Sequence, residues 1–128
     1  MSSDWPVFKD EDGTLVPIEF SKLPFEPKRI FYVCDVPKDE ERGMHAHHNT
    51  QQILTCVRGK ILIKLHDGIS ISETVLQEND TIFIEKMIWD SQVFLTGDDV
   101  LLSICSTAYS TEDYISDFDL FLKLSKEQ

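Results

Sequence analysis

Positive charge is scarce in this chain. Lys and Arg together number 12 against 23 Asp and Glu, a formal net charge of -11, and Arg29, Arg42 and Arg58 are the only arginines. That balance argues against a protein that grips a phosphate backbone through clustered cations, so no nucleic-acid partner is expected. A small anionic ligand stays open, because a few arginines inside a cleft reverse the local potential. Cysteine is sparse and odd in number. Cys34, Cys56 and Cys105 each sit inside an apolar run with no zinc-like spacing, which predicts buried free thiols and a reducing compartment. Long apolar runs are missing too, so no membrane span is expected. The opening Met1-Ser2-Ser3-Asp4-Trp5-Pro6 has neither a basic region nor an apolar stretch, and no signal peptide is read there. A cytoplasmic protein is the expectation. Repeats, low-complexity tracts and Gly/Ser linkers are likewise lacking, and residues 1–128 read as a single domain large enough to bury its own core.

What the chain does have is a series of short β-branched and aromatic runs broken by turn residues, the pattern of an antiparallel sandwich or barrel. Strands are predicted over Lys28–Asp35, Gln52–Val57, Lys60–His66, Ile69–Leu76, Thr81–Ile84, Ser91–Leu95 and Val100–Ser106. Arg58-Gly59 and His66-Asp67-Gly68 are tight-turn candidates. In Lys60–His66, alternation puts Ile61, Ile63 and Leu65 on one face and Lys60, Leu62, Lys64 and His66 on the other, so the first face belongs to a core. From Thr111 to Leu124 the apolar spacing turns helical, with Ser110 and Asp113 resembling a capping box, and a short helix or run of turns is predicted against the sheet. The residues after it, Ser125 to Gln128, are expected to fray.

The densest chemistry lies in Arg42-Gly43-Met44-His45-Ala46-His47, followed by Gln52 and Gly59. A strand alternates its side chains, so His45 and His47 share a face and Ala46 takes the other. Two histidines so spaced resemble the first motif of the metal-binding cupin barrels. The glutamate usual in that motif is Gln52 here, and the later segment Glu85-Lys86-Met87-Ile88-Trp89-Asp90 carries no histidine. His48 faces the other way on a continuing strand and His66 lies at a distant strand end. Two imidazoles and an amide make a poor ligand set, and no metal is expected. Proton transfer suits the residues better: it needs a base near neutrality, a second group to relay, and a cation for developing negative charge, roles that His47, His45 and Arg42 can fill.

The blocks Gly13-Thr14-Leu15-Val16-Pro17-Ile18-Glu19, Lys28-Arg29-Ile30-Phe31-Tyr32-Val33, Arg42-Gly43-Met44-His45-Ala46-His47 and Asp113-Tyr114-Ile115 together resemble the dTDP-4-keto-6-deoxyglucose 3,4-ketoisomerases, the WxcM-like or FdtA/QdtA branch of the cupins. The resemblance runs from about Gly13 to about Phe121. It implies a cupin-type antiparallel jelly-roll barrel with a short C-terminal helical or turn segment, a homodimer, and isomerisation of a dTDP-linked keto sugar with neither metal nor cofactor. His47 carries over as the base for the C3 proton and His45 as its proton-shuttling partner. Arg42 and Arg29 would hold diphosphate or enolate charge, Gln52 a sugar oxygen, and Tyr32 and Trp89 the walls of the pocket. The chain departs from the family in bearing Asp12 and Asp90 where cationic residues are usual, which raises the expectation that these two contact the sugar and influence the gluco or galacto outcome at C4. Two other readings fit the resemblance, a non-catalytic nucleotide-sugar-binding cupin and a cupin epimerase acting on the same sugars.

Overall fold

The computed structural model describes residues 5–128; the opening four, on which most of the signal-peptide reading rests, lie outside the described residues. The chain runs β1 (Phe8–Asp10), β2 (Gly13–Leu15), β3 (Arg29–Val33), β4 (Glu40–His47), β5 (Gln52–Arg58), β6 (Ile61–His66), β7 (Ile71–Leu76), β8 (Thr81–Ile84), β9 (Trp89–Phe94), β10 (Val100–Cys105), β11 (Tyr114–Ile115) and α1 (Phe118–Ser125). Every pairing is antiparallel. One sheet has the order β3-β10-β5-β8, the second β11-β4-β9-β6-β7, and β1 and β2 form a separate hairpin.

The two larger sheets bury a shared interior. Leu54, Cys56, Ile82, Ile84 and Leu101 from the first meet Ile61, Ile63, Leu76 and Phe94 from the second. This is the all-β jelly-roll arrangement predicted, with Ile61 and Ile63 on the core face of β6 as their alternation requires. The other face of the second sheet is covered too. There Ala46, Trp89, Met87 and Ile115 pack against Phe121 and Leu122 of α1, which begins where the Asp117 side chain accepts the Leu120 N–H at 3.2 Å.

Several local expectations change. Ser110 makes no side-chain cap to the 3-10 turn at Thr111–Asp113; Asp113 is drawn inward instead, because it meets a histidine there. Helix α1 continues through Ser125, whose hydroxyl bonds the Leu122 carbonyl at 2.8 Å. Cys34 is exposed, whereas Cys56 and Cys105 are buried. The Arg58-Gly59 turn needs its glycine twice over: φ is +87°, and a Cβ there would lie 2.3 Å from the Asp99 carboxylate. That carboxylate accepts the Lys60 N–H at 2.9 Å and so ties the β5–β6 turn to the β9–β10 turn.

Candidate active site

Strand β4 delivers the histidines by way of a bulge. Its register with β9 pairs Arg42 with Gln92 and Gly43 with Ser91, then slips so that His45 faces Asp90. Gly43 and Met44 both take positive φ, +87° and +61°. The extra residue has a consequence for side-chain direction. Arg42 and His45 are three apart and would occupy opposite faces of a regular strand; across the bulge both lie on the interior face with His47. Arg42 stays exposed at the rim. Gln92 packs where a Gly43 side chain would be, since a Cβ would lie 3.0 Å from its amide.

His47 is 3 % exposed, and its Nδ1 lies 2.8 Å from Asp113 Oδ2. Asp113 also accepts the Asn49 N–H at 2.7 Å and the Thr50 hydroxyl, while Thr50 and Thr107 share a 2.6 Å hydroxyl contact. Burial alone would raise the Asp113 carboxyl, but these bonds outweigh it and hold the group below the usual carboxylate range. An ionised Asp113 can only accept, so His47 carries its proton on Nδ1 and keeps Nε2 free as a base. Burial pushes the His47 imidazole down; Asp113 opposes that, and Arg29 adds to it.

His45 stands edge-on to His47, with ring centroids 5.0 Å apart. Burial and the neighbouring His47 push it down to about 4, against the pull of its bond to the Gly43 carbonyl. Both imidazoles are therefore neutral near pH 7. Tyr114, from β11, packs on both, at 4.9 Å from His45 and 4.5 Å from His47.

The facing sheet contributes a row of three. Register sets Arg29 of β3 beside Cys105 of β10, and Cys105 beside Gln52 of β5. The Arg29 guanidinium donates to Cys105 Sγ at 3.6 Å and lies 5.4 Å from the Phe31 and Tyr109 rings. The Tyr114 hydroxyl is close enough to favour the charged guanidinium. Gln52 Oε1 accepts the Ser103 hydroxyl at 3.0 Å, which leaves the amide NH2 free to donate.

Other predicted residues go elsewhere. Tyr32 is 69 % exposed on the outer face of β3, because the inward positions of that strand are Arg29, Phe31 and Val33; the aromatic facing the interior is Phe31. Trp89 lies on the outer face of β9, its ring 5.1 Å from Phe118 and 5.7 Å from Phe121, so it anchors α1 and faces away from the histidines. Asp12 is exposed in the β1–β2 turn, where its N–H bonds the Asp10 carboxylate. Asp90 is interior and 1 % exposed. The sequence pointed to no site role for Tyr114, Thr50, Tyr109 or Phe31, and it cast Asp113 as part of a helix cap. Asp113 lies 66 residues beyond His47 and no local spacing links them; the only signal was the Asp113-Tyr114-Ile115 block.

Among the described residues no group of three or more His, Cys, Asp or Glu is placed to hold a metal ion, and no helix is long and apolar enough to cross a membrane. The arrangement offers a neutral base with a fixed tautomer, a second neutral imidazole against it, and a guanidinium across the interior.

Comparison with known proteins points to a single family. The chain is 34 % identical over 116 residues, 89 % of its length and 84 % of the relative's, to TDP-4-oxo-6-deoxy-alpha-D-glucose-3,4-oxoisomerase of Aneurinibacillus thermoaerophilus. Among solved structures it resembles a 3,4-ketoisomerase from Helicobacter canadensis, with 33 % identity, a TM-score of 0.93 and coverage of 98 % of this chain and 96 % of that one. It also resembles QdtA, a sugar 3,4-ketoisomerase from Thermoanaerobacterium thermosaccharolyticum in complex with TDP, with 29 % identity, a TM-score of 0.93 and coverage of 99 % and 94 %. The FdtA family model, described as WxcM-like, C-terminal, matches residues 2–126, and the chain belongs to that family.

Proposed function

We propose that this protein is a sugar 3,4-ketoisomerase, one domain over residues 1–128, which converts dTDP-4-keto-6-deoxy-D-glucose into a dTDP-3-keto-6-deoxyhexose. The observation that carries the reading is the His47–Asp113 pair at 2.8 Å beside a second neutral imidazole, together with the likeness to 3,4-ketoisomerases over nearly the whole chain. A ketone at C4 acidifies the C3–H bond. His47 Nε2 takes that proton, and the electron pair of the C–H bond becomes the C3–C4 double bond of an enediolate whose charge rests on O4. Asp113 stabilises the resulting imidazolium and holds its ring in place. The hydrogen on O3 passes to His45 or to O4, and a proton returns to C4, leaving the carbonyl at C3. No net oxidation occurs, and no cofactor is needed for the balance.

Arg29 supplies positive charge to the diphosphate or the enediolate, with Arg42 at the rim as a second cation. Gln52 donates its free amide to a sugar oxygen. The product is a 3-keto sugar ready for amination in glycan synthesis. Three cysteines without disulfide partners fit work in the cytoplasm, and the working form is a homodimer.

Replacement of His47 tests the reading. His47→Asn keeps a polar side chain of similar reach to Asp113 and removes the base, so turnover is expected to fall by about three orders of magnitude while the circular dichroism spectrum is kept. A folded His47→Asn protein with near-native turnover would remove His47 from the role of base.

A further inference from the structure

Asp90 is a buried carboxyl for which the proton transfers just described have no use. It lies in the interior between His45 on β4 and Leu65 on β6. Its Oδ1 accepts from Gln92 Nε2 at 2.5 Å. Its Oδ2 is buried and has no hydrogen-bond partner among the described residues. A carboxylate so placed would leave a full charge desolvated on one side, a state proteins avoid by keeping the group protonated.

The surroundings offer little to relieve that charge. From β4 the facing groups are His45, itself neutral, and Arg42, one interior position further along and opposite Gln92. From β6 they are Leu65 and Ile63. Lys64 is on the other face of β6, 3.7 Å from Glu41. On β9 itself the neighbour is the Gln92 amide, and from the facing sheet the charged group across the interior is Arg29, whose guanidinium is engaged with Cys105 Sγ at 3.6 Å. Burial pushes the Asp90 carboxyl up to about 7, with the Gln92 bond pulling the other way.

His45 and Asp90 are joined by a closed loop of contacts. Gly43 lies two residues before His45 on β4, its bare Cα admits the Gln92 amide, that amide bonds Asp90, and Asp90 faces His45 across the strand pair. Side chains directly opposite on antiparallel strands have Cβ atoms about 5 Å apart. We propose that Asp90 is a positioning residue that holds a proton on Oδ2, keeps the interior beside His45 uncharged, and on losing that proton as the pH rises through neutrality slows the isomerisation. The reasoning rests on the ketoisomerase reading for its effect on rate. Ionisation of Asp90 puts a second negative charge near the one that builds on the enediolate, and the two repel across a medium of low dielectric.

The test combines carboxyl-carbon NMR titration of the native protein, His45 ring-nitrogen shifts over the same range, and kcat from pH 6 to pH 8.5 for the native enzyme and Asp90→Asn. One carboxyl signal, absent from Asp90→Asn, is expected to titrate near pH 7, with the His45 ring following the same midpoint. Native kcat should fall about tenfold across the range, whereas the ratio between its ends should be close to one in Asp90→Asn. His45 adds no step of its own there, since it is pushed down to about 4, and the His47 imidazole, held below its ordinary value, would raise kcat with pH and so cannot mimic a fall. An Asp90 carboxyl that titrates near 4, a His45 ring with no inflection near 7, or an equal fall in the variant would each overturn the proposal. Should Asp90→Asn fail to fold, the native carboxyl and ring titrations still decide it. Should the protein isomerise no keto sugar at all, the proposed function fails, and those two titrations still show whether Asp90 holds its proton beside His45.

Discussion

At the scale of single residues, His47 is held by an anion on one edge and an aromatic ring on its face, and that setting decides which nitrogen can act. Asp113 gives the imidazole a fixed tautomer and raises its proton affinity against the opposing pull of burial and Arg29. The sign of a substitution follows. With Asp113→Asn the anion is gone and desolvation acts unopposed, so the His47 pKa falls further below its ordinary value. The acid limb of kcat/KM, which marks the neutral base becoming protonated, moves to lower pH. Turnover falls as well, by about 10 to 1,000-fold, because an amide no longer stabilises the imidazolium and can force the other tautomer. A pH profile of the variant checks both effects; a limb that moves to higher pH would contradict the role given to Asp113. The histidine pair and its shared face were readable from period-two alternation in His45-Ala46-His47. Asp113 was not, because its distance in sequence is bridged only by the pairing of β11 with the end of β4, which sets Tyr114 opposite His47.

At the scale of elements, the bulge in β4 is what assembles the site. Strict alternation would send Arg42 and His45 to opposite faces, and the extra residue at Gly43-Met44 reconciles them. Gly43 is therefore a position where a side chain meets both backbone strain and a neighbour. A Gly43→Ala substitution would keep φ in the left-handed region and bring its Cβ within 3.0 Å of the Gln92 amide and 3.2 Å of the Asp90 carbonyl. The expected cost is about 1–2 kcal/mol in urea unfolding, with a loss of turnover as His45 shifts; a variant of native stability would mean that the bulge is not held as described. Apart from β4, which has no apolar run and was read as a strand only at its histidine pair, the central strands were legible within a residue or two from their apolar runs. Which face of β3 and β9 turns inward was not, since Ile30-Phe31-Tyr32 and Trp89 with its neighbours offer bulky residues to both sides. One residue of phase decides which side chain turns inward, and so Phe31 takes the interior place expected of Tyr32, while Trp89 anchors α1 where a pocket wall was expected. The β1–β2 hairpin and β11 were too short to announce themselves by periodicity.

At the scale of the molecule, the two sheets cover each other and α1 covers the back of the second, but the outer face of the first keeps apolar residues in water. Tyr32, Ile30 and Val57 are exposed there, and Phe8 and Leu15 are exposed on the β1–β2 hairpin. Scattered apolar residues are ordinary, whereas a sheet face and a hairpin that both keep apolar residues exposed suit a partner, and a two-fold pair is the commonest one. Light scattering is expected to give twice the 14.8 kDa chain mass; a stable monomer would contradict the homodimer.

The central claim is that the histidine pair moves a proton between neighbouring carbons of a nucleotide-linked keto sugar. Incubation with dTDP-4-keto-6-deoxyglucose in deuterated water, followed by proton and carbon NMR, tests it most directly. The account predicts a carbonyl that moves from C4 to C3 and deuterium at C4 of the product, with both changes lost in His47→Asn. An unchanged 4-keto sugar free of deuterium at C3, after incubation with the folded protein, would contradict it.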